Sequence, residues 1–219
     1  MWYQRIAHSV RIRVQYLLGK GFRRRYFDQL YSARAEDAWG YGQKPHHAER
    51  MRFAVESIPP GAIDRAVEVG CAEGHMTRLL AQRVRSLVAL DLAAEAVRRA
   101  AANCADLPNV EFMVADIREG IPAGRFDLAV CSDVLLYLSP SELWWVIRSL
   151  ERSLGAGGCI LVAEFSPLQA RLPSSLEDVV RLCRERGWTL LSERETTLRE
   201  SGEGVRVVVF RWSPDPAAK

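Results

Sequence analysis

The residues best suited to chemistry are five acids, Glu68, Asp91, Asp116, Asp133 and Glu164, each at the end of a short apolar run. A carboxylate there can cap a helix. It can also accept hydrogen bonds from a ribose diol or offset a positive charge. Five acids at five successive run ends favour a shared ligand over five separate caps. The first run, AVEV, leads into two glycines four apart, Gly70 and Gly74, and then into Met76, Leu79, Leu80 and Val84 at helical spacing. A strand, a glycine turn and a helix start, in that order, let backbone approach a nucleotide closely. Asp91 lies seventeen residues past Gly74, where an acid accepts from both hydroxyls of an adenosine ribose.

The make-up of the turn discriminates between ligands. A dinucleotide fingerprint carries three glycines, G-x-G-x-x-G, that open backbone amides toward a diphosphate. Here Ala72 stands in the middle position, the third glycine is missing, and Glu68 and Glu73 flank the turn. Negative charge is unfavourable beside a diphosphate and favourable beside a sulfonium or an ammonium. The corner therefore suits a cationic adenosine derivative. A nicotinamide-dependent oxidoreductase is the competing enzyme class, and a binding scaffold without catalysis is the third reading.

The elements that must position these groups alternate. Strands are expected at 65–69, 86–91, 110–115, 126–132 and 159–165, and helices at 74–84, 93–104, 140–154 and 174–186. Two further β runs, 188–196 and 204–212, are joined by a glycine turn with no helix, a connection that only antiparallel strands allow. The expected fold is α/β: a doubly wound seven-stranded sheet of five parallel strands plus a C-terminal antiparallel hairpin. Ahead of it, residues 1–30 read as helical, 31–50 as an ordered loop, and 50–58 as a short helix stopped by Pro59-Pro60-Gly61. Three regions follow: a basic helical extension with a pocket-covering loop (1–49), a catalytic domain (50–213) and a tail (214–219).

With 219 residues, 48% hydrophobic and 26% charged, the chain reads as one soluble domain with length enough for a core. No run reaches the ~20 apolar residues of a membrane span. Five scattered cysteines without a CxxC pair suggest reduced core residues in a cytoplasmic setting. The net charge of +3 hides an asymmetry, because residues 1–27 carry seven Lys/Arg and no acid, leaving −4 for the remainder. That head suits an anionic membrane surface, nucleic acid, a mitochondrial presequence, or a packed helix whose stripe is Trp2, Ile6, Val10, Val14 and Leu17. The body lacks the basic surface and the motifs of an RNA reader, so no nucleic acid is expected. Oligomeric state is not legible.

The motif VEVGCAEG, with Asp91, Asp116 and the FDLAVCSDVLLYL strand, resembles the class I S-adenosylmethionine-dependent methyltransferases over roughly residues 50–212. EDAWGY, VGCAEGHMTRLLA and SDVLLYL look most like the nodulation protein S-type enzymes, which N-methylate an amino sugar. The resemblance implies a Rossmann-like methyltransferase fold and S-adenosyl-L-methionine as cofactor, with S-adenosyl-L-homocysteine as product. It implies that Gly70, Cys71, Ala72 and Gly74 line the methionine part, while Glu68 holds the turn or the amino group. Asp91 would bind the ribose, Leu92 one adenine face, Asp116 the adenine amino group and Ile117 the other face. Ser132 and Val134 would lie near the methionyl chain, with His75 close by and Tyr41 closing over it.

A sulfonium leaves as a neutral thioether, so alignment supplies much of the acceleration. An amine acceptor need only arrive unprotonated, whereas a hydroxyl needs a base or a metal. Metal-dependent relatives pair acids after strands 4 and 5, a pattern that Asp133 and Glu164 meet only in part, so no metal is expected. His46, His47 and Asp133 are the catalytic candidates. Tyr137, Trp144 and Glu164 are the candidates for holding a small-molecule acceptor: an amino sugar or a similar biosynthetic intermediate, with O-methylation of a hydroxyl as the alternative.

Overall fold

Long apolar runs without polar alternation belong to strands covered on both faces, and here they lie in the middle of one seven-stranded sheet. A computed structural model describes residues 24–33, 37–122, 124–165 and 172–213. The expected stripe from Trp2 to Leu17 and the tail at 214–219 lie outside them. Helix α1 (Arg24–Ser32) and helix α2 (Pro45–Glu56) come first. Then β1 (Arg65–Val69), α3 (His75–Ala81), β2 (Ser86–Asp91), α4 (Ala94–Asn103), β3 (Val110–Val114) and β4 (Phe126–Ser132) alternate. A 3-10 turn (Leu135–Tyr137), α5 (Pro140–Ser153), β5 (Leu154–Phe165), α6 (Leu176–Glu185), β6 (Thr189–Thr197) and β7 (Gly204–Arg211) complete the chain.

The strand order is β3-β2-β1-β4-β5-β7-β6. The first five strands pair in parallel, and β7 inserts antiparallel between β5 and β6. The sheet is thus five parallel strands with an antiparallel hairpin, a Rossmann-like architecture. Strand order reverses where β1 lies between β2 and β4, so a crevice opens above their C-terminal ends. One face of the sheet carries Ile147 and Leu150 of α5 and Val179 and Cys183 of α6. The other carries Met51 and Ala54 of α2 and Met76 and Leu80 of α3. All five cysteines are buried and free. Among the described residues, no helix is long and apolar enough to cross a membrane.

Two boundaries differ from expectation. Helix α2 begins at Pro45, not at residue 50, because proline suits a first helical position that needs no amide donor. His46 and His47 therefore lie in a helix, not in a loop, and the helix runs across the 49/50 division. Strand β5 begins at Leu154, ahead of the three glycines expected to precede it. Leu154 pairs with Phe126 and Cys159 with Leu128, so the residues between loop out as an irregularity within the strand. Gly157 takes a positive φ there, and a Cβ on Gly158 would stand 3.1 Å from the Phe126 carbonyl oxygen.

Candidate active site

The glycine turn after β1 is built from three residues at positive φ: Gly70 (79°), Ala72 (48°) and Gly74 (85°). The two glycines serve different neighbours. A Cβ on Gly70 would meet Val134 Cγ2 at 3.2 Å, so the turn and the segment after β4 touch at this point. A Cβ on Gly74 would stand 2.9 Å from Cys104 Sγ and 3.2 Å from Ala100 Cα, so Gly74 seats α3 against α4 and does not line the crevice. The amides of Gly70 and Cys71 are turned inward and donate to the Leu90 carbonyl.

Asp91 braces this turn. Its Oδ2 accepts from the Ala72 amide at 3.0 Å and its Oδ1 from the Ala93 amide at 2.9 Å. Burial raises its pKa against the opposing pull of these bonds. Each oxygen keeps a lone pair, which a ribose diol can use.

A crevice opens beside the turn, with Glu68, Cys71, Ala72, His75, Ser132 and Tyr41 on its walls. Glu68 is 3% exposed, accepts from Thr77 Oγ1 at 2.6 Å, and burial pushes its pKa up to about 7. Glu73, the second flanking acid, does not face the cavity as the charge argument required. Its Oε1 accepts from the Ala38 amide and from Arg99 Nη1, tying the N-terminal segment to the turn. Asp37, Glu73 and His75 do bring one ligand-type atom each within 4.8 Å of one another. Asp37, however, spends both oxygens on the amides of Tyr41 and Gly42.

The decisive residue that sequence reasoning passed over is Arg50, on the inner face of α2. It lines the same cavity as Glu68, and its Nε is buried without a partner. One guanidinium nitrogen pairs with Asp133, and the group lies 5.1 Å from the Tyr41 ring centroid and 4.9 Å from that of Phe165. Burial works against its charge, but Asp133 and Tyr41 beside it raise its pKa overall. Nothing in the local sequence marks Arg50, since an arginine on an amphipathic helix usually lies in solvent. Asp133 reaches it only through the fold.

Asp133 takes a positive φ of 52°, and its second oxygen accepts from the Phe165 amide at 2.9 Å. Each of its oxygens thus holds one partner, and through them Asp133 positions Arg50 and the end of β5. His47 is buried against Tyr41, with ring centroids 5.1 Å apart, and burial and Arg50 lower its pKa to about 3. It is neutral and a poor proton acceptor. His46 lies parallel to the Phe165 ring at 6.3 Å.

Asp116 is forked to the guanidinium of Arg118 at 2.8 and 2.6 Å, which holds its pKa down against burial. Ile117 is buried in the core and Leu92 is half-buried. Tyr137 packs edge-on against Phe27 of α1 at 5.6 Å, and burial raises its pKa well above the ordinary value. Trp144 does not reach the site. Both tryptophans of α5 are exposed, Trp144 at 37% and Trp145 at 57%, because Leu143, Val146, Ile147 and Leu150 form the buried stripe. Trp144 is covered instead by Arg148 and Arg186. Glu164 is buried on the opposite side of the sheet from Arg50, beneath the start of α6.

Residues 66–158 match the family model of a methyltransferase domain. Nodulation protein S of Rhizobium tropici is 31% identical over 126 residues, 57% of this chain and 53% of that one. A trans-aconitate 2-methyltransferase of an Azoarcus strain is 33% identical over 119 residues, 52% of this chain and 45% of that one. The chain spans about half the length of these relatives. The fold is similar to the crystal structure of N-methyltransferase NodS from Bradyrhizobium japonicum WM9 in complex with S-adenosyl-l-homocysteine. That similarity has a TM-score of 0.74 at 24% identity, covering 82% of this chain and 93% of that one. The matched stretch holds Glu68, Asp91, Asp116 and Asp133, while Arg50, His47 and Glu164 lie outside it.

Proposed function

We propose that this chain transfers the methyl group of S-adenosylmethionine to a small-molecule acceptor that bears an amine, of the amino-sugar type. The observation that carries this reading is that Arg50 and Glu68 line one cavity, whose Ala72 wall is braced by Asp91. The methionyl end of the cofactor is a zwitterion. The free Nε of Arg50 suits its carboxylate, and Glu68 suits its ammonium and the nearby sulfonium. The paired oxygens of Asp91 suit the ribose hydroxyls. A dinucleotide would place a diphosphate next to Glu68, a repulsive arrangement.

The amine part of the reading is supported by the names of the relatives, nodulation protein S and N-methyltransferase NodS. Tyr41 gives the cavity an aromatic wall. Such walls exclude water and hold an acceptor in line with the C–S bond, and proximity of this kind is worth roughly 7–11 kcal/mol of barrier. Calorimetric titration with S-adenosylhomocysteine and with NADH tests the cofactor: the first should bind and the second should not. Asp91→Ala should weaken S-adenosylhomocysteine by at least tenfold, because two charge-assisted hydrogen bonds of about 1.5–3 kcal/mol each are lost. Unchanged affinity would remove Asp91 from the site.

A further inference from the structure

A guanidinium recognises a carboxylate through a planar fork, and an arginine left free to move has many rotamers to lose when it binds one. Arg50 is spared that loss by its neighbours. Its guanidinium packs on the rings of Tyr41 and Phe165, and Nη1 donates to Oδ2 of Asp133. Its Nε is buried with no hydrogen-bond partner, on a residue that lines the cofactor crevice. An unpaired buried donor is costly until a ligand satisfies it.

Building on the cofactor reading above, we propose that Asp133 is a positioning residue that acts through Arg50 and makes the crevice selective for ligands carrying the amino-acid carboxylate. Asp133 suits this role because it is itself fastened. It follows β4 directly, and both of its further bonds go to β5. Its amide donates to the Ala163 carbonyl at 2.9 Å, and its Oδ1 accepts from the Phe165 amide at 2.9 Å. Oδ2 is therefore delivered to Arg50 from a fixed point at the end of the sheet. The two side chains are only 8% and 10% exposed, so little water competes for either. Held at Nη1, the guanidinium keeps its Nε edge for a second carboxylate. Helix α2 thus supplies the cation, while β4 and β5 decide where it is held.

Charge alone would argue the other way. An anion on the far side of the guanidinium repels an arriving carboxylate, so neutralising Asp133 would by itself tighten binding. A purely structural role has a different signature again: its loss would weaken every adenosine ligand alike. Positioning predicts a third pattern. The loss falls only on ligands that have the carboxylate, even though a repelling charge has been removed.

Asp133→Asn makes the test, because asparagine tolerates the positive φ of 52° at this position as aspartate does. Its amide nitrogen must face either the Phe165 amide or the Arg50 guanidinium, donor against donor, so one of the two bonds is lost. The probes are S-adenosylhomocysteine and S-adenosyl-3-thiopropylamine, which keeps the adenosine, thioether and amine but lacks the carboxylate. Both are titrated calorimetrically, with melting temperature followed alongside. Wild type should prefer S-adenosylhomocysteine by at least about tenfold. Asp133→Asn should weaken that ligand by about tenfold and leave the amine analogue within about twofold. Asp133→Glu keeps the charge but displaces the carboxylate by one methylene. It should lose the preference likewise, and it decides the matter if Asp133→Asn melts too low to titrate. Equal weakening of both ligands, or tighter S-adenosylhomocysteine, overturns the proposal. A wild-type preference that survives both substitutions overturns it too, while the cofactor reading stands. If wild type shows no preference, or does not bind S-adenosylhomocysteine, the earlier reading of the methionyl end fails with it.

Discussion

Glu68 shows how burial sets the charge of one side chain. In the folded protein it ionises near pH 7, against roughly 4.3 in an unfolded chain. Between those values the folded state holds a proton that the unfolded state has lost, so this residue's contribution to stability falls as pH rises toward 7. Glu68→Gln removes that dependence. It should be more stable than wild type at pH 8, by at most about 4 kcal/mol, with the advantage largely gone near pH 4.5. Urea titrations at the two pH values check this, and a pH-independent difference would contradict it. An arriving ammonium should also return Glu68 to its charged form. Cofactor binding near pH 7 should then release a proton, seen as a calorimetric enthalpy that varies with the buffer's ionisation heat.

At the scale of elements, the glycine turn separates backbone strain from packing. Gly74→Ala places a Cβ against Cys104 and the Ala100 backbone at a φ of 85°, and should cost roughly 2–4 kcal/mol from strain and overpacking together. Gly157→Ala, at a φ of 81° with nothing within 4 Å, should cost only about 1 kcal/mol. Equal losses in denaturant unfolding would show that packing against α4 is not what Gly74 provides. The strand ends β1 to β5 were legible in the sequence because each closes an apolar run with an acid, and the topology followed from connection lengths. The start of α2 was hidden by Gly40-Tyr41-Gly42 and the His pair, which read as loop. Arg50 was hidden for a deeper reason: its meaning depends on Asp133, 83 residues later, and no local pattern links them. The acid at Glu73 was visible, but not that α4 and the N-terminal segment would claim it.

Across the whole molecule, one cation gathers the N-terminal segment and the glycine turn together. Arg99 of α4 donates to Glu73, Glu95 and the Tyr31 carbonyl, and its guanidinium lies 5.7 Å from the Tyr31 ring centroid. Arg99→Met should loosen residues 24–42 without touching the sheet. Hydrogen exchange should then accelerate at least tenfold in that segment alone, with faster release of S-adenosylhomocysteine. Uniform exchange across the chain would instead indicate general destabilisation. The other fastening is β5, whose last two residues face opposite ways: Phe165 toward Arg50 and the histidines, Glu164 toward α6. The packing on both faces of the sheet at this end thus depends on the parity of a single strand. Insertion of one residue between Cys159 and Ala163 would exchange the two side chains, putting a carboxylate under the guanidinium and a ring beneath the start of α6. Length variation among descendants of this sequence should therefore avoid that stretch and collect a few residues earlier, in the irregular loop at Gly155–Gly158, where an added residue changes no register.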